Sequence, residues 1–203
     1  MLHDMSQDDS AAALRAWLVV GLLLLASAFG AVDQYLGTSH LPGGLHPVAI
    51  TISGLSAPWL LLAFCFGCTQ TRPWLGALIG LTAILAALAG YFALMWSPFE
   101  GVHMTLATMG RLVISSQARN VVGGLVSGPV YGWLGQRWRV HRSPLSALLA
   151  ASLLPLEPIA LALAGRAWGP PTAYVAEVIA GVLLAGYFVA AMSRSRRPTR
   201  IAA

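Results

Sequence analysis

The hydrophobic residues of the chain fall into long runs separated by short segments rich in polar residues, proline and glycine. The hydrocarbon core of a bilayer is about 30 Å thick, so a helix that crosses it needs roughly 20 mostly apolar residues. Because lipid offers no hydrogen bonds to the backbone, runs of this kind predict helices. Six runs fit the description, and they cover residues 16–36, 48–68, 74–96, 120–135, 145–164 and 172–192.

This pattern predicts an all-α fold, namely a polytopic transmembrane helix bundle of six spans. With 203 residues, six spans and their connections use nearly the whole chain, so a single transmembrane domain over residues 1–203 is expected. The lipid bilayer is then the first partner of the chain. Any function must lie in the bundle itself or in its loops.

The basic residues predict the orientation of the bundle. All twelve are arginine, and the absence of lysine excludes Schiff-base chemistry of the retinal-protein kind. Nine of the twelve lie in the N-terminal segment, the even-numbered loops or the C-terminal segment, whereas Arg111, Arg119 and Arg166 lie on the other side. By the positive-inside rule, this asymmetry predicts a multi-pass protein of the cell membrane with both termini cytoplasmic. It also explains the net charge of +5 without a nucleic-acid partner.

The third loop, residues 97–119, has a pattern of its own. Its apolar residues recur at steps of three or four, at Val102, Leu106, Met109 and Val113. Such spacing predicts an interfacial amphipathic helix, placed where it can cover the outer mouth of the bundle. A seventh span is the alternative, but Arg111 near its centre would make that span costly.

Three acidic residues lie inside predicted spans, and they are the main functional signal of the sequence. Asp33, Glu157 and Glu177 all fall in the outer half of the predicted bilayer. A charge at mid-bilayer costs about 3 to 15 kcal/mol, so intramembrane acids are usually paired or functional. Arg119 can neutralise one of them or contact an anionic ligand. Stabilisation by the helix dipole is the alternative role for Glu177, and capping of its own helix is the alternative for Asp33.

Glu157 has the most unusual setting, because Pro155 and Pro158 bracket it. Each proline removes a backbone donor and crowds the preceding turn, which predicts a kinked helix with free carbonyls. Broken helices at membrane depth often line binding cavities. The alternative is a structural ion pair between Glu157 and Arg119 or Arg166. The ligand-binding interpretation joins Glu157, Glu177, Arg119 and Asp33 in one site, with Tyr174 and Trp168 as stacking surfaces.

Small residues indicate where helices approach closely. Gly124, Gly128 and Gly132 form a stripe along the fourth span. A second stripe, in the third span, consists of Gly76, Gly80, Ala83 and Ala87. Intramolecular packing is the first interpretation of the second stripe, and docking of a membrane partner protein on it is the alternative.

Sequence motifs for catalysis, metals and cofactors are absent. The chain has no P-loop, no Gly-x-Ser-x-Gly and no His-Glu-x-x-His. Cys65 and Cys68 lack further cysteines to complete a metal site, and a bland packing role is expected for them. The outer histidines lie on different loops without ligand spacing. We therefore expect no catalytic residues, metal or cofactor.

The chain contains several short motifs, namely the runs Gly-Ala-Val-Asp-Gln-Tyr-Leu at 30–36 and Ser-His-Leu-Pro at 39–42, Pro58-Trp59 in the second span and Ala89-Gly90-Tyr91 in the third. With these motifs the chain resembles a family of uncharacterised actinobacterial integral membrane proteins. This resemblance implies the class of protein and no particular chemistry.

In layout, the chain also resembles the substrate-binding S components of energy-coupling-factor vitamin importers, which are six-helix proteins with cytoplasmic termini. That resemblance implies an outward ligand site formed by the later helices and covered by loops one and three. It also implies a partner-docking surface at the small residues of the third span.

The leading functional hypothesis from the sequence is a membrane-embedded protein for binding and uptake of a small solute, with an outward-facing polar site. A structural or accessory subunit of a larger membrane complex is the alternative. A membrane enzyme that uses the outer carboxylates as acid and base is a third hypothesis. The shape of the outer half discriminates between the first two. A cavity of a few hundred Å³ would favour binding, whereas a packed core of ion pairs would favour the accessory role.

Overall fold

The structure of the protein is a computed structural model that describes residues 2–38, 43–97, 105, 118–165 and 169–195. For residues 2–16, 43, 119, 120 and 195 it describes only the backbone. The described residues form seven α-helices and a 3-10 turn, with no strand, which confirms the all-α prediction. The helices are α1 Leu2–Leu36, α2 His46–Ser53, α3 Ala57–Gly67, α4 Pro73–Met95, α5 Ala118–His141, α6 Pro144–Leu163 and α7 Pro171–Ser195, and the 3-10 turn Gly43–Leu45 precedes α2.

Four of these helices are long and apolar enough to cross a membrane, namely those at Trp17–Leu36, Pro73–Met95, Pro144–Leu163 and Pro171–Arg194. Their outward faces carry large apolar side chains, with Leu163 86%, Leu183 69% and Leu24 66% exposed. Apolar exposure on this scale is unfavourable in water and suits contact with lipid tails. The helices are therefore consistent with a membrane-spanning protein.

The second predicted span, at 48–68, is not one continuous helix. It is divided into α2 and α3, which meet at a bend of 55° and together would make a fifth span. In an unbroken helix the ring of Pro58 would crowd the carbonyl of Gly54, and Pro58 has no N–H to donate. The chain therefore ends α2 at Ser53 and starts α3 after Ser56.

The proline-bracketed span behaves in the opposite way. Helix α6 runs without interruption through both Pro155 and Pro158. The kink predicted beside Glu157 thus does not interrupt α6, and the break in the described helices lies elsewhere, between α2 and α3. Pro58 differs from these two prolines because it falls in the first turn of a helix, where proline marks a start.

The predicted span at 120–135 lies inside α5, which extends to His141. The added turns carry Arg137 and Arg139. Helix α5 is not among the helices that are apolar enough to cross a membrane by composition, so a sixth span stays a prediction. The predicted amphipathic helix of the third loop lies outside the described residues, apart from Thr105.

Close packing of α1 on α4 depends on small residues. Gly30 of α1 lies against the Ala87 carbonyl, and a methyl group at Gly30 would overlap it. Gly90 of α4 lies in the same way against the Ser27 carbonyl of α1. The Ser27 hydroxyl also donates to the Ala86 carbonyl at 3.0 Å. The two helices thus approach backbone to backbone, as small residues permit in membrane proteins.

The glycine stripe of α5 makes the second close contact. Gly132 lies against the Gly76 carbonyl of α4, and Gly128 lies against the Gly80 carbonyl. Gly135 lies against the Phe64 carbonyl of α3. This confirms the prediction that the stripe admits another backbone. Helices α3, α4 and α5 form the centre of the bundle as a result, and the α6–α7 pair packs against α3 and α5.

The proposed partner face of the third span is covered in the structure by other parts of the chain. Gly76 and Gly80 pack against α5, and Ala87 packs against α1. Ala83 is fully buried in a cluster with Ala26. Intramolecular packing, the first interpretation, is therefore what the structure contains at this stripe. A partner protein stays a prediction that the packing of one chain does not test.

Candidate functional site

The two ends of the bundle differ in chemistry. At one end, which we call the Asp33 end, α1 and α4 finish and α3, α5 and α7 begin. At the other, the Arg139 end, α4 and α6 begin and α5 and α7 finish. The antiparallel pairing of α4 with α5, seen at Gly76 with Gly132 and at Ile84 with Gly124, fixes this arrangement.

A cavity of about 730 Å³ opens into the Asp33 end, between α1, α4, α5 and the break that separates α2 from α3. We call it the Asp33 cavity. Its volume falls in the range of about 300–1,000 Å³ that is typical of small-molecule sites. The lining combines polar side chains, aromatic side chains and exposed backbone of small residues, among them Asp33, Gln34, Ser53, Ser56, Trp59, Tyr91, Phe92, Gly123 and Gly124.

Among the described residues that line the cavity, Asp33 is the charged one. It lies in the last turn of α1 and is only 7% exposed. The indole Nε1 of Trp59, in the first turn of α3, donates to Asp33 Oδ2 at 3.3 Å. That bond is long for a nitrogen donor, whose usual distance to oxygen is about 2.9 Å. The contact ties the end of α1 to the start of α3 and holds the carboxylate at the cavity wall.

Three aromatic side chains, Trp59, Tyr91 and Phe92, form what we call the aromatic wall of the cavity. Trp59 meets Tyr91 edge to face with ring centroids 6.1 Å apart. The rings of Tyr91 and Phe92 are perpendicular, with centroids 5.5 Å apart. Phe29, one turn before Asp33 on α1, meets Trp59 edge to face with ring centroids 5.6 Å apart. Such edge-to-face contacts hold rings in fixed orientations, so the wall is preorganised.

Glu157 holds the break from the outside of the cavity. The backbone N–H of Ser56 donates to Glu157 Oε1 at 2.6 Å, and that of Ala57 donates to Oε2 at 2.7 Å. The hydroxyl of Ser56 does not cap α3, although Ser56 occupies the N-cap position. Pro58 has no N–H, and the N–H of Trp59 bonds to the Ser56 carbonyl. Glu157 therefore satisfies the two donors that the helix start leaves open.

Glu177 lies beside Glu157, with the two carboxyl groups within hydrogen-bonding reach. It is 6% exposed, and neither of its oxygens has a donor among the described residues. Two carboxyl groups can share a hydrogen bond only when one of them carries a proton. Because both oxygens of Glu157 already accept N–H bonds, Glu177 is the member of the pair that is suited to carry it.

The predicted site residues are divided between these two places. Asp33 lines the cavity, whereas Glu157 and Glu177 form a carboxyl pair behind the break. Tyr174 lies one turn before Glu177 on α7 and is half-buried. Arg119 lies in the first turn of α5, but its side chain is outside the described part of the chain, as is the whole of Trp168.

Sequence reasoning missed the aromatic wall and the helix break as parts of a site. In the sequence analysis, Trp59 and Tyr91 appear only as parts of the motifs that resemble the membrane-protein family. A local signal for the break was available, because Ser53 and Gly54 are followed by Pro58 within one turn. The convergence of Asp33 with Tyr91 had no such signal, since the residues lie on different helices.

Metal-binding groups are sparse at both ends. Among the described residues, no group of three or more histidine, cysteine, aspartate or glutamate side chains is placed to hold a metal. Cys65 and Cys68 are free thiols, and Cys68 Sγ donates to the Gly135 carbonyl at 3.2 Å. That contact is the packing role that was expected for a cysteine in this position.

The fold and the cavity together define a class of protein, an all-helical chain with apolar helices of membrane-spanning length and a bent helix pair beside a polar cavity. No protein-family model, no curated protein and no solved structure matches the chain.

Proposed function

We propose that the protein binds a small solute in the Asp33 cavity and takes part in its uptake across the cell membrane. In this proposal α5 is the sixth span, both termini are cytoplasmic and the Asp33 end faces outward. The observation that carries the proposal is the cavity of about 730 Å³ beside a broken span. Irregular backbone at membrane depth is tolerated where it lines a cavity or is buried in protein.

The direction of the helices supports the proposed topology. Glu177 in the early part of α7 meets Glu157 near the Asp33 end. Phe188, late in α7, packs on Trp138 at 4.7 Å near the Arg139 end. Because α1 runs toward Asp33, the N-terminus of α1 and the C-terminus of α7 lie at the same end of the bundle, the Arg139 end. That end also carries Arg137 and Arg139 of α5 and Arg194 of α7.

The accessory-subunit alternative would be favoured by a closed core of ion pairs. Within the part of the chain whose side chains are described, Asp33 bonds to an indole and Glu157 bonds to backbone N–H groups. These partners, together with the mixed polar and aromatic lining of the Asp33 cavity, support solute binding over a closed core of ion pairs. The enzyme hypothesis gains no observation, because both oxygens of Glu157 are occupied by α3.

The proposal is tested by filling the cavity. Gly123 lines it, and a side chain built there would meet nothing within 4 Å at its first carbon. Gly123→Trp is therefore expected to fold while it occupies the solute space. Gly186→Trp on α7 is the matched control, because that position is also open and lies outside the lining.

Native mass spectrometry of the protein, purified after incubation with a total small-molecule extract, provides the measurement. We expect a retained small molecule in the wild type and in Gly186→Trp, and its loss in Gly123→Trp. Absence of any retained molecule in the wild type, or its equal retention in both tryptophan variants, would argue against solute binding at this cavity.

A further inference from the structure

We propose that the solute of the Asp33 cavity is an organic cation, an ammonium compound whose positive nitrogen lies between the Asp33 carboxylate and the aromatic wall. This inference rests on the proposed function, because it names the substrate class of the same cavity. It follows from three observations, namely the charge of the lining, the rings that surround it and the scarcity of metal ligands.

The charge of the lining selects the sign of the ligand. Asp33 is almost fully buried, and its described partner is the neutral indole of Trp59. Burying a carboxylate without a cation is costly, so a bound cation would offset part of that cost, whereas an anion would add repulsion. The arginines whose side chains are described, Arg72, Arg137, Arg139, Arg142 and Arg194, all lie in or next to the helix termini at the Arg139 end, whereas the side chain of Arg119, in the first turn of α5 at the Asp33 end, is outside the described part of the chain.

The aromatic wall selects the kind of cation. Ring faces of Trp and Tyr attract a cation within about 6 Å of the ring centroid, and alkylammonium groups are bound in this way. Trp59 contributes twice, because its indole N–H orients the carboxylate while its ring forms part of the wall. A carboxylate beside several rings therefore complements a group that is positive at its centre and apolar at its surface.

Size and ligand number favour an organic cation over a metal ion. A metal ion needs several oxygen, nitrogen or sulfur ligands, and the described residues contain no group of three acidic, histidine or cysteine side chains placed for one. The cavity of about 730 Å³ has room for an organic substituent as well as the ammonium group. Ser56 and Gln34 provide polar contacts for such a substituent.

A pair of probes with the same shape and different charge separates the two contributions. Choline and 3,3-dimethylbutan-1-ol differ in that a quaternary nitrogen replaces a carbon. Calorimetric titration of the purified protein in detergent, up to about 10 mM probe, covers weak binding. We expect choline to bind at least about tenfold more tightly than the neutral alcohol.

Four variants assign the effect to Asp33 and to the rings. Asp33→Asn should remove the preference for choline while leaving binding of the neutral alcohol unchanged, and Asp33→Glu should restore part of the preference. Tyr91→Leu should weaken choline binding, whereas Phe188→Leu, which removes an aromatic ring near the Arg139 end, should not. Melting temperature in detergent reports whether each variant is folded.

Failure of this inference is distinguishable from failure of the proposed function. No choline binding by the folded wild type, equal binding of the two probes, or an Asp33→Asn variant that keeps the preference would each overturn the cation assignment. If the molecule lost on Gly123→Trp substitution proved neutral or anionic, the solute-binding function would stand and the cation assignment would fall.

Discussion

Glu157 and Glu177 are identical side chains in contact with each other, and their surroundings give them different tasks. Glu157 accepts two short N–H bonds at the start of α3 and so acts as a fixed negative charge at a helix N-terminus. Glu177 is buried without a donor among the described residues. The contrast comes from the backbone groups that each carboxyl meets.

This difference predicts an asymmetric response to loss of charge. Glu157→Gln removes the charge and one of the two acceptor oxygens, and hydrogen bonds to charged groups contribute about 1.5–3 kcal/mol each. We expect a clear fall in the melting temperature of the purified protein. Glu177→Gln replaces an acid with an amide that can donate to Glu157, so its melting temperature should stay level or rise. Equal losses in the two variants would contradict this division of roles.

The partners of the acidic residues were harder to predict from the sequence than their positions. That Asp33, Glu157 and Glu177 lie in helices was predictable, because long apolar runs around them are a local property. The partners of Glu157 were sought among arginines, yet those described are backbone N–H groups about one hundred residues away in sequence. A sequence displays side chains and their order, and it does not display which distant helix start is left without hydrogen-bond acceptors.

Helix α3 is stabilised at both ends by charged side chains from other helices. Glu157 of α6 binds its N-terminus, and Arg139 of α5 donates to the Cys68 and Thr69 carbonyls at its C-terminus, at 2.9 and 2.8 Å. A negative charge at the start and a positive charge at the end both match the helix dipole. A helix of 11 residues can thus be kept beside the break that separates it from α2.

The packing of these helices predicts a sharp cost for one methyl group. Gly132 of α5 lies against the Gly76 carbonyl of α4, and a backbone atom cannot move aside as a side-chain tip can. Gly132→Ala should therefore destabilise the bundle by about 1–3 kcal/mol, the usual cost of overpacking. Gly186→Ala is the control, since nothing lies within 4 Å of its added carbon. Thermal unfolding in one detergent measures both, and indistinguishable melting temperatures would refute the close approach of α4 and α5.

The positions of most helices could be predicted from hydrophobic runs, and α4 and α6 match their predicted spans to within one residue. The second span could not be predicted in the same way, because a count of apolar residues over 48–68 does not register the backbone effect of Pro58. Which helices pack against each other could not be predicted either, for a different reason. A glycine stripe predicts a close helix–helix contact, but it does not indicate which helix is the partner.

At the scale of the whole molecule, the two ends have opposite character. The Asp33 end has a polar and aromatic cavity, and the Arg139 end has a basic surface with Arg137 above the Trp133 ring at 4.9 Å and Arg142 above Trp138 at 5.2 Å. Arginine and tryptophan together are typical of a membrane interface, and an arginine-rich interface is typical of the cytoplasmic side. This asymmetry leads to the last prediction, which concerns orientation.

Single cysteines at both ends can establish which end faces outward. The native thiols are first removed as Cys65→Ser and Cys68→Ser, because both are free and Cys65 is exposed. Thr38 and Thr172 then serve as positions at the Asp33 end, and Arg72 and Ser193 as positions at the Arg139 end.

With a membrane-impermeant maleimide on intact cells, we expect labelling of Thr38→Cys and Thr172→Cys alone. The other two should react only after permeabilisation, because the positive-inside rule predicts that the arginine-rich end faces the cytoplasm. Labelling of Ser193→Cys in intact cells would reverse the orientation and turn the cavity inward. Labelling of Thr38→Cys without Thr172→Cys would mean that an odd number of spans separates α1 from α7, and the proposal of six spans would fail.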